Sequence, residues 1–222
     1  TVRRDSDDEE RKFGFDENGD LDTAGIASFC GSATGYVSQW WDQSTNGNHA
    51  SQGTAASQPQ IYDGAAVLTE NGKPVLDASR NGTGRAGVLD AAYSSGSPLT
   101  IAAVGVVVTN GRIISSGSGT NAITNMTRIT SGGTTILTDA KSGQVLTFAV
   151  SDGSSSYIGA SSSSSQTSNT GTTSNWSGTV LKVLNLASDR HNNGQEIILW
   201  PSNQNTNRTG IETNINTYFS IY

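Results

Sequence analysis

The chain has 222 residues, 33% of them hydrophobic and 14% charged, with 26 glycines and a net charge of −6. An acidic balance without a basic stripe has nothing to set against phosphates, which argues against nucleic acid as a partner. A single cysteine, Cys30, excludes an internal disulfide framework and a cysteine-ligated metal site, and no apolar run approaches the ~20 residues that cross a bilayer.

Gly, Ser, Thr and Asn carry the solubility here, a composition found in extracellular, fibre and virion β-proteins more than in cytosolic enzymes. The expected localisation is therefore extracellular or on a virion surface. No composition break divides the chain, so residues 1–222 are read as one domain. The only methionine is Met126, so the domain is expected to belong to a longer chain.

Val2-Arg3-Arg4 has the pattern of an edge strand, and the acidic run Asp5 to Glu10 that follows reads as a solvated loop. Asp16, Asn18 and Asp20 then place oxygens at alternate positions, as the first half of a calcium loop does. The glutamate expected at the twelfth position is Ala27 instead, which favours a polar turn leading into a helix. Calcium at Asp16, Asn18 and Asp20 is the one cofactor the sequence leaves open. Asp22 or Thr23 can cap a short helix over Ala24 to Phe29, stopped by Gly31.

The segment from Tyr36 to Ala50 is the densest in information. Aromatic and aliphatic residues alternate with polar ones up to Trp40-Trp41, the pattern of a half-buried strand. From Asp42 to Asn48 the chain is a polar loop in which Asp42, Ser44 and Asn46 can bond the loop's own amides. Alternation sends one tryptophan into the core and leaves the other free to stack on a sugar ring. Trp41, Asp42, Asn46 and Asn48 are therefore the candidate carbohydrate-binding residues, with self-bracing of the loop as the plainer role for the three polar ones.

Further on, Ile61-Tyr62, Ala66 to Leu68 and Pro74 to Asp77 are short strands, with a turn at Glu70-Asn71-Gly72-Lys73. Leu99 to Val108 is the longest apolar run and reads as a central strand buried on both faces. Asn110-Gly111 predicts a hairpin from it into Arg112-Ile113-Ile114. Thr134 to Thr138, Gln144 to Val150, Thr179 to Leu186 and Glu196 to Trp200 are further strands, and Ser161 to Ser177 is a low-complexity loop. Ile211, Ile215 and Phe219 recur every four residues, the stripe of a closing amphipathic helix. Some ten short strands with a helix near each end predict an all-β antiparallel sandwich, a jelly roll.

Val2-Arg3-Arg4-Asp5-Ser6-Asp7, Phe29-Cys30 and Trp41-Asp42-Gln43-Ser44-x-Asn46-Gly47-Asn48-His49 resemble the opening of the catalytic domain of family 54 α-L-arabinofuranosidases, a concanavalin A-like β-sandwich. With Gly72-Lys73-Pro74-Val75 and Glu196-Ile197-Ile198-x-Trp200-Pro201-Ser202, the pattern is similar to LamG-like jelly-roll domains of bacteriophage structural proteins. The arabinofuranosidases carry their nucleophilic glutamate after a vicinal cysteine pair and their acid/base aspartate in a Gly-Gly-Asp-Asn stretch. Neither segment is present. Asp139 and Asp152 sit in Gly-Ser surroundings with nothing to mark them as a pair. His49 and His191 are far apart, and no nucleophile elbow accompanies them.

The expectation is thus a non-catalytic structural or adhesive module of a virion, with no catalytic residue assigned. Its expected partners are other virion or fibre subunits and a host-surface glycan, without nucleic acid or membrane insertion. The alternative is an arabinofuranosidase-like glycoside hydrolase with relocated catalytic carboxylates.

Overall fold

The computed structural model describes residues 1–78, 89–91, 93, 98–106, 112–116, 122–124, 128–131, 134–138, 143–152, 155–160, 167–170, 181–184 and 193–222. Period-two alternation sorts the strand residues onto two faces, and the strands onto two sheets. Among the described residues the larger sheet has ten strands. In spatial order they are Thr167–Thr170, Ser155–Ala160, Gln144–Ser151, Leu99–Val106, Asn193–Trp200, Leu76–Asp77, Gln60–Tyr62, Gly35–Val37, Val2–Arg4 and Glu10–Arg11. The second has eight, in the order Thr134–Thr138, Arg128–Ser131, Ala122–Thr124, Arg112–Ser115, Leu181–Val183, Leu89–Ala91, Ala50–Ser51 and Gln39–Trp40. The pairings are antiparallel throughout. Val37, Ile61, Ile101 and Ala103 of the first sheet share one core with Leu89, Ile113, Ile114 and Leu181 of the second. The expected all-β sandwich is the observed one.

Leu99–Val106 is buried on both faces for a simple reason. Leu99, Ile101 and Ala103 face the core between the sheets, with Ile197 and Leu199 beside them. Ala102 and Val104 face outward, with Leu146, Phe148, Ile198 and Trp200, into a second cluster. That outer cluster is roofed by helix α2, Arg208–Phe219, whose Ile211, Ile215 and Phe219 form the stripe that the sequence predicts. Removing Phe148, fully buried at its centre, would cost about 3–5 kcal/mol.

Helix α1, Thr23–Cys30, begins where Asp22 accepts a hydrogen bond from the Gly25 amide at 2.8 Å, so Asp22 and not Thr23 is the cap. It ends at Gly31, whose φ of +59° suits a residue without a side chain.

Four expectations are corrected. The hairpin predicted after Leu99–Val106 does not form. Arg112–Ser115 pairs with Leu181–Val183 and Ala122–Thr124 in the other sheet, so the chain crosses the sandwich there. Val2–Arg4 is not an edge strand, because Glu10–Arg11 pairs outside it. The acidic run between them is not simply solvated. Asp5 and Asp8 grip Arg3, which is only 5% exposed, while Asp7 and Glu9 grip Arg4. A strand Thr167–Thr170 also lies inside the low-complexity stretch.

Candidate functional site

A cleft of about 360 Å³ is lined by Trp40, Trp41 and Asp42, by Glu196 and Tyr218, and by Phe13 and Phe15. Its floor is apolar, from Val37, Ile61 and Leu76 of the large sheet and Ile26 of α1.

The Asp42 loop follows from the chemistry expected of it. The Asp42 carboxylate accepts the Ser44 amide, the Ser44 hydroxyl and the Asn48 amide, each at 2.8 Å. Ser44 Oγ accepts the Asn46 amide at 3.2 Å and its side-chain nitrogen at 3.1 Å. Burial pushes the Asp42 carboxyl up, but the bonds from Ser44 and Asn48 and the nearby His49 together hold it below its usual range. The Asp42 amide donates to His49 Nδ1 at 3.1 Å, which leaves that ring nitrogen as an acceptor.

Trp40 packs against the core. Trp41 lines the cleft, and its indole N–H donates to Thr1 Oγ1 at 3.0 Å. The ring has two neighbours. Lys12 Nζ lies 3.5 Å from the ring centroid, and the His49 ring is tilted against it at 4.3 Å. Of the four candidate carbohydrate residues, Trp41 and Asp42 line the cleft, whereas Asn46 and Asn48 brace the loop behind them.

The placing of Glu196 depends on a bulge. The register of Asn193–Trp200 against Leu99–Val106 slips between Val104 and Gly105, so Gln195 has no partner across the pair. Its side-chain amide donates instead to the carbonyls of Glu70, Lys73 and Pro74 at 3.1–3.3 Å. Those residues form a two-residue hairpin whose Asn71 and Gly72 have φ of +50° and +74°, the geometry an Asn-Gly turn adopts cheaply. Asn71 Nδ2 in turn donates to the carbonyls of Phe219 and Ser220 at 2.8 and 2.7 Å, holding the end of α2. Bulges re-aim the neighbouring side chain. Here that side chain is Glu196, opposite Val104 on the face that α2 covers.

Burial pushes the Glu196 carboxyl up, toward the protonated form. Tyr218 on α2 donates its hydroxyl to Asp20, and Lys73 Nζ lies 3.7 Å from the Tyr218 ring centroid and 3.5 Å from Asp20. Burial, the bond to Asp20 and the charges of Asp20, Glu196 and Asp16 raise Tyr218 to about 12. The bond from Tyr218, with the Lys73 charge, holds Asp20 below its usual value.

Asp16, Asn18 and Asp20 form the predicted polar turn. Asp16 Oδ1 accepts the Asn18 and Asp20 amides at 2.9 and 3.0 Å, while the Asp20 carboxylate is directed at Tyr218 and Lys73. Among the described residues no three His, Cys, Asp or Glu side chains converge on one centre. Asp152 accepts from Asn203 Nδ2 at 3.3 Å and is not part of the cleft. Asp139 and His191 lie outside the described residues.

No family profile matches the chain, and no curated protein does. Solved structures do. An arabinofuranosidase complexed with arabinofuranosyl-α-1,2-xylobiose aligns at a TM-score of 0.63 and 16% identity over 96% of this chain and 57% of its own. A family 54 α-L-arabinofuranosidase soaked with a cyclic sulfate inhibitor aligns at 0.60 and 13% identity. A glutamate-to-glutamine mutant of such an enzyme, soaked with 4-nitrophenyl α-L-arabinofuranoside, aligns at 0.58 and 14%.

The sandwich is the one these arabinofuranosidases are built on. The chain spans 57–58% of their length. These matches overturn the expectation of a non-catalytic virion module and of a chain that is not an enzyme. Nothing in them supports a phage or virion protein, and the LamG-like half of the resemblance finds no match.

Glu196, Phe15, Lys12 and Tyr218 were absent from the candidates drawn from the sequence. Glu196 had one legible signal, a lone carboxylate at the head of the apolar strand Ile197 to Trp200. The others had none, because the cleft assembles segments nearly 220 positions apart, from Thr1 to Phe219.

Proposed function

We propose that the domain is a carbohydrate-active module of glycoside-hydrolase type, taking an arabinofuranose-bearing glycan in the cleft that Trp41 and Tyr218 line. The observation that carries this reading is the alignment of 96% of the chain with arabinofuranosidase structures, one of them holding an arabinofuranosyl xylobiose. The cleft agrees with it. It holds aromatic rings and amides beside two carboxyls, Asp42 and Glu196, that their surroundings push in opposite directions.

A glycosidase divides its work between such a pair. Glu196, whose carboxyl burial pushes up toward the protonated form, can give a proton to the departing glycosidic oxygen. Asp42, kept ionised, can take a proton from the water that attacks the anomeric carbon. Neither role needs the cysteine-pair segment.

The experiment is release of 4-nitrophenol from 4-nitrophenyl α-L-arabinofuranoside, with arabinan and arabinoxylan as polymeric substrates. Glu196→Gln should lower the rate by about 10²–10⁴-fold, the usual share of a general acid. No turnover over that panel sinks the hydrolase reading. Turnover unchanged in Glu196→Gln and Asp42→Asn overturns the assignment of these two carboxyls.

A further inference from the structure

Phe15 is 60% exposed and Tyr218 41%, and both line the cleft. A lone exposed aromatic needs no explanation. Two along one cleft, each held by a built support, do.

Phe15 sits on a loop that is rigid without its help. Phe15 bridges to Leu21, Asp16 exchanges a backbone bond with Asp20 at 2.7 Å, and the Asp22 amide donates to the Gly14 carbonyl at 3.1 Å. Asp16 further ties down the Asn18 and Asp20 amides. This bracing is backbone and carboxylate chemistry, so a polar residue at position 15 would serve the loop equally well. Tyr218 is fixed by its bond to Asp20, by Lys73 against its ring and by Phe219 edge-on at 4.8 Å. The same Asp20 that anchors Tyr218 belongs to the Phe15 loop, so one carboxylate ties the Tyr218 ring to that loop.

We infer that Phe15, flanked by Tyr218, is a preorganised stacking platform for the apolar face of a sugar ring, a subsite separate from Trp41. This rests on the glycan reading above and names where the sugar sits. Trp41 has Lys12 and His49 against its ring and Tyr218 has Lys73 and Phe219 against its own, whereas Phe15, the most exposed large apolar side chain of the described residues, supplies the stacking face that Tyr218 flanks. The groups beside the platform fit a sugar better than a lipid or an apolar peptide. Gln43, Gln39 and Glu196 offer hydrogen bonds to hydroxyls within the same cleft, and a buried carboxyl would repel an alkyl chain. Rings already held in place cost little entropy on binding.

The test is calorimetric titration of the full chain with arabinofuranosyl-α-1,2-xylobiose. Phe15→Ala should weaken binding about tenfold, the worth of one aromatic contact, with its melting temperature unchanged. Phe15→Trp should restore it. Wild-type binding matched by Phe15→Ala overturns the platform and leaves the glycan reading standing. No binding by the wild type overturns both.

Discussion

Gly35→Ala measures how tightly α1 is seated on the large sheet. Gly35 opens the strand Gly35–Val37. Its φ is ordinary, so the substitution meets no backbone strain. A Cβ there would lie 2.8 Å from Cys30 Sγ, 3.1 Å from Tyr62 Cβ and 3.1 Å from Val2 Cγ1, and all three neighbours are buried. Sulfur and carbon normally keep well beyond 3 Å, so either the thiol or the strand must shift by several tenths of an ångström. Overpacking of this kind costs about 1–3 kcal/mol. The lost freedom of the unfolded chain returns about 0.4–1 kcal/mol, leaving a net loss of about 1–2 kcal/mol. For a domain of this size that is a fall in Tm of about 2–8 °C. Urea unfolding should report the same loss with the m-value unchanged. The double variant Gly35→Ala/Cys30→Ala removes the tightest contact, so it should recover at least about 0.5 kcal/mol relative to the sum of the single changes. Gly53→Ala, with nothing within 4 Å of the added carbon, is the control and should be neutral. Strict additivity in the double variant, or a Gly35→Ala as mild as Gly53→Ala, would refute the packing argument.

Glu196→Gln should raise Tm at neutral pH. Burial raises the folded-state value of this carboxyl, so its contribution is full below the unfolded carboxylate value and is lost as pH climbs through the raised one. The gap between variant and wild type should close below about pH 4, and a gap independent of pH would count against the burial argument. Arg3→Ala should cost about 1–3 kcal/mol, because it strands Gln58, 2% exposed and bonded to Arg3 Nε at 2.7 Å. Arg3→Lys should rescue little, since an ammonium cannot hold Gln58, Asp5 and Asp8 in one fork. Raising salt in the wild type should change Tm far less than either substitution, because Asp5 and Asp8 are exposed partners. Calcium and a chelator should leave Tm equal, as Asp16 is engaged by its own loop and Asp20 by Tyr218 and Lys73; a rise of several degrees with calcium would reopen that loop as a metal site.

Local chemistry was legible wherever the cause lay within a few residues. The cap of α1, the Asn71-Gly72 turn and the Asp42 loop all follow from side chains bonding their own neighbourhood. The stripe of α2 was legible because its period is intrinsic. Partner choice was not. Asn110-Gly111 says where a chain can turn, whereas Ile113 and Ile114 are both fully buried, and their strand is paired with Leu181–Val183. The same limit hid the cleft. Trp41 and Asp42 stood out by composition, but nothing in the sequence joins them to a carboxyl 154 positions on.

The functional error has the same root. Hydrolysis of a glycoside asks for two carboxyls in unlike states at a sugar-sized distance from one bond, and it does not ask which segment supplies them. A sandwich has many strand ends and loops along one cleft, so the carboxyls can enter from different places while the sheets stay put. In the site proposed above one carboxyl would enter on the braced loop after Trp41 and the other on the bulge after Gln195, and their surroundings push the two in opposite directions. A missing motif therefore excludes one route to the chemistry and leaves the chemistry itself to be decided by geometry. Amide substitution at each of these two positions, read against substrate turnover, decides it directly.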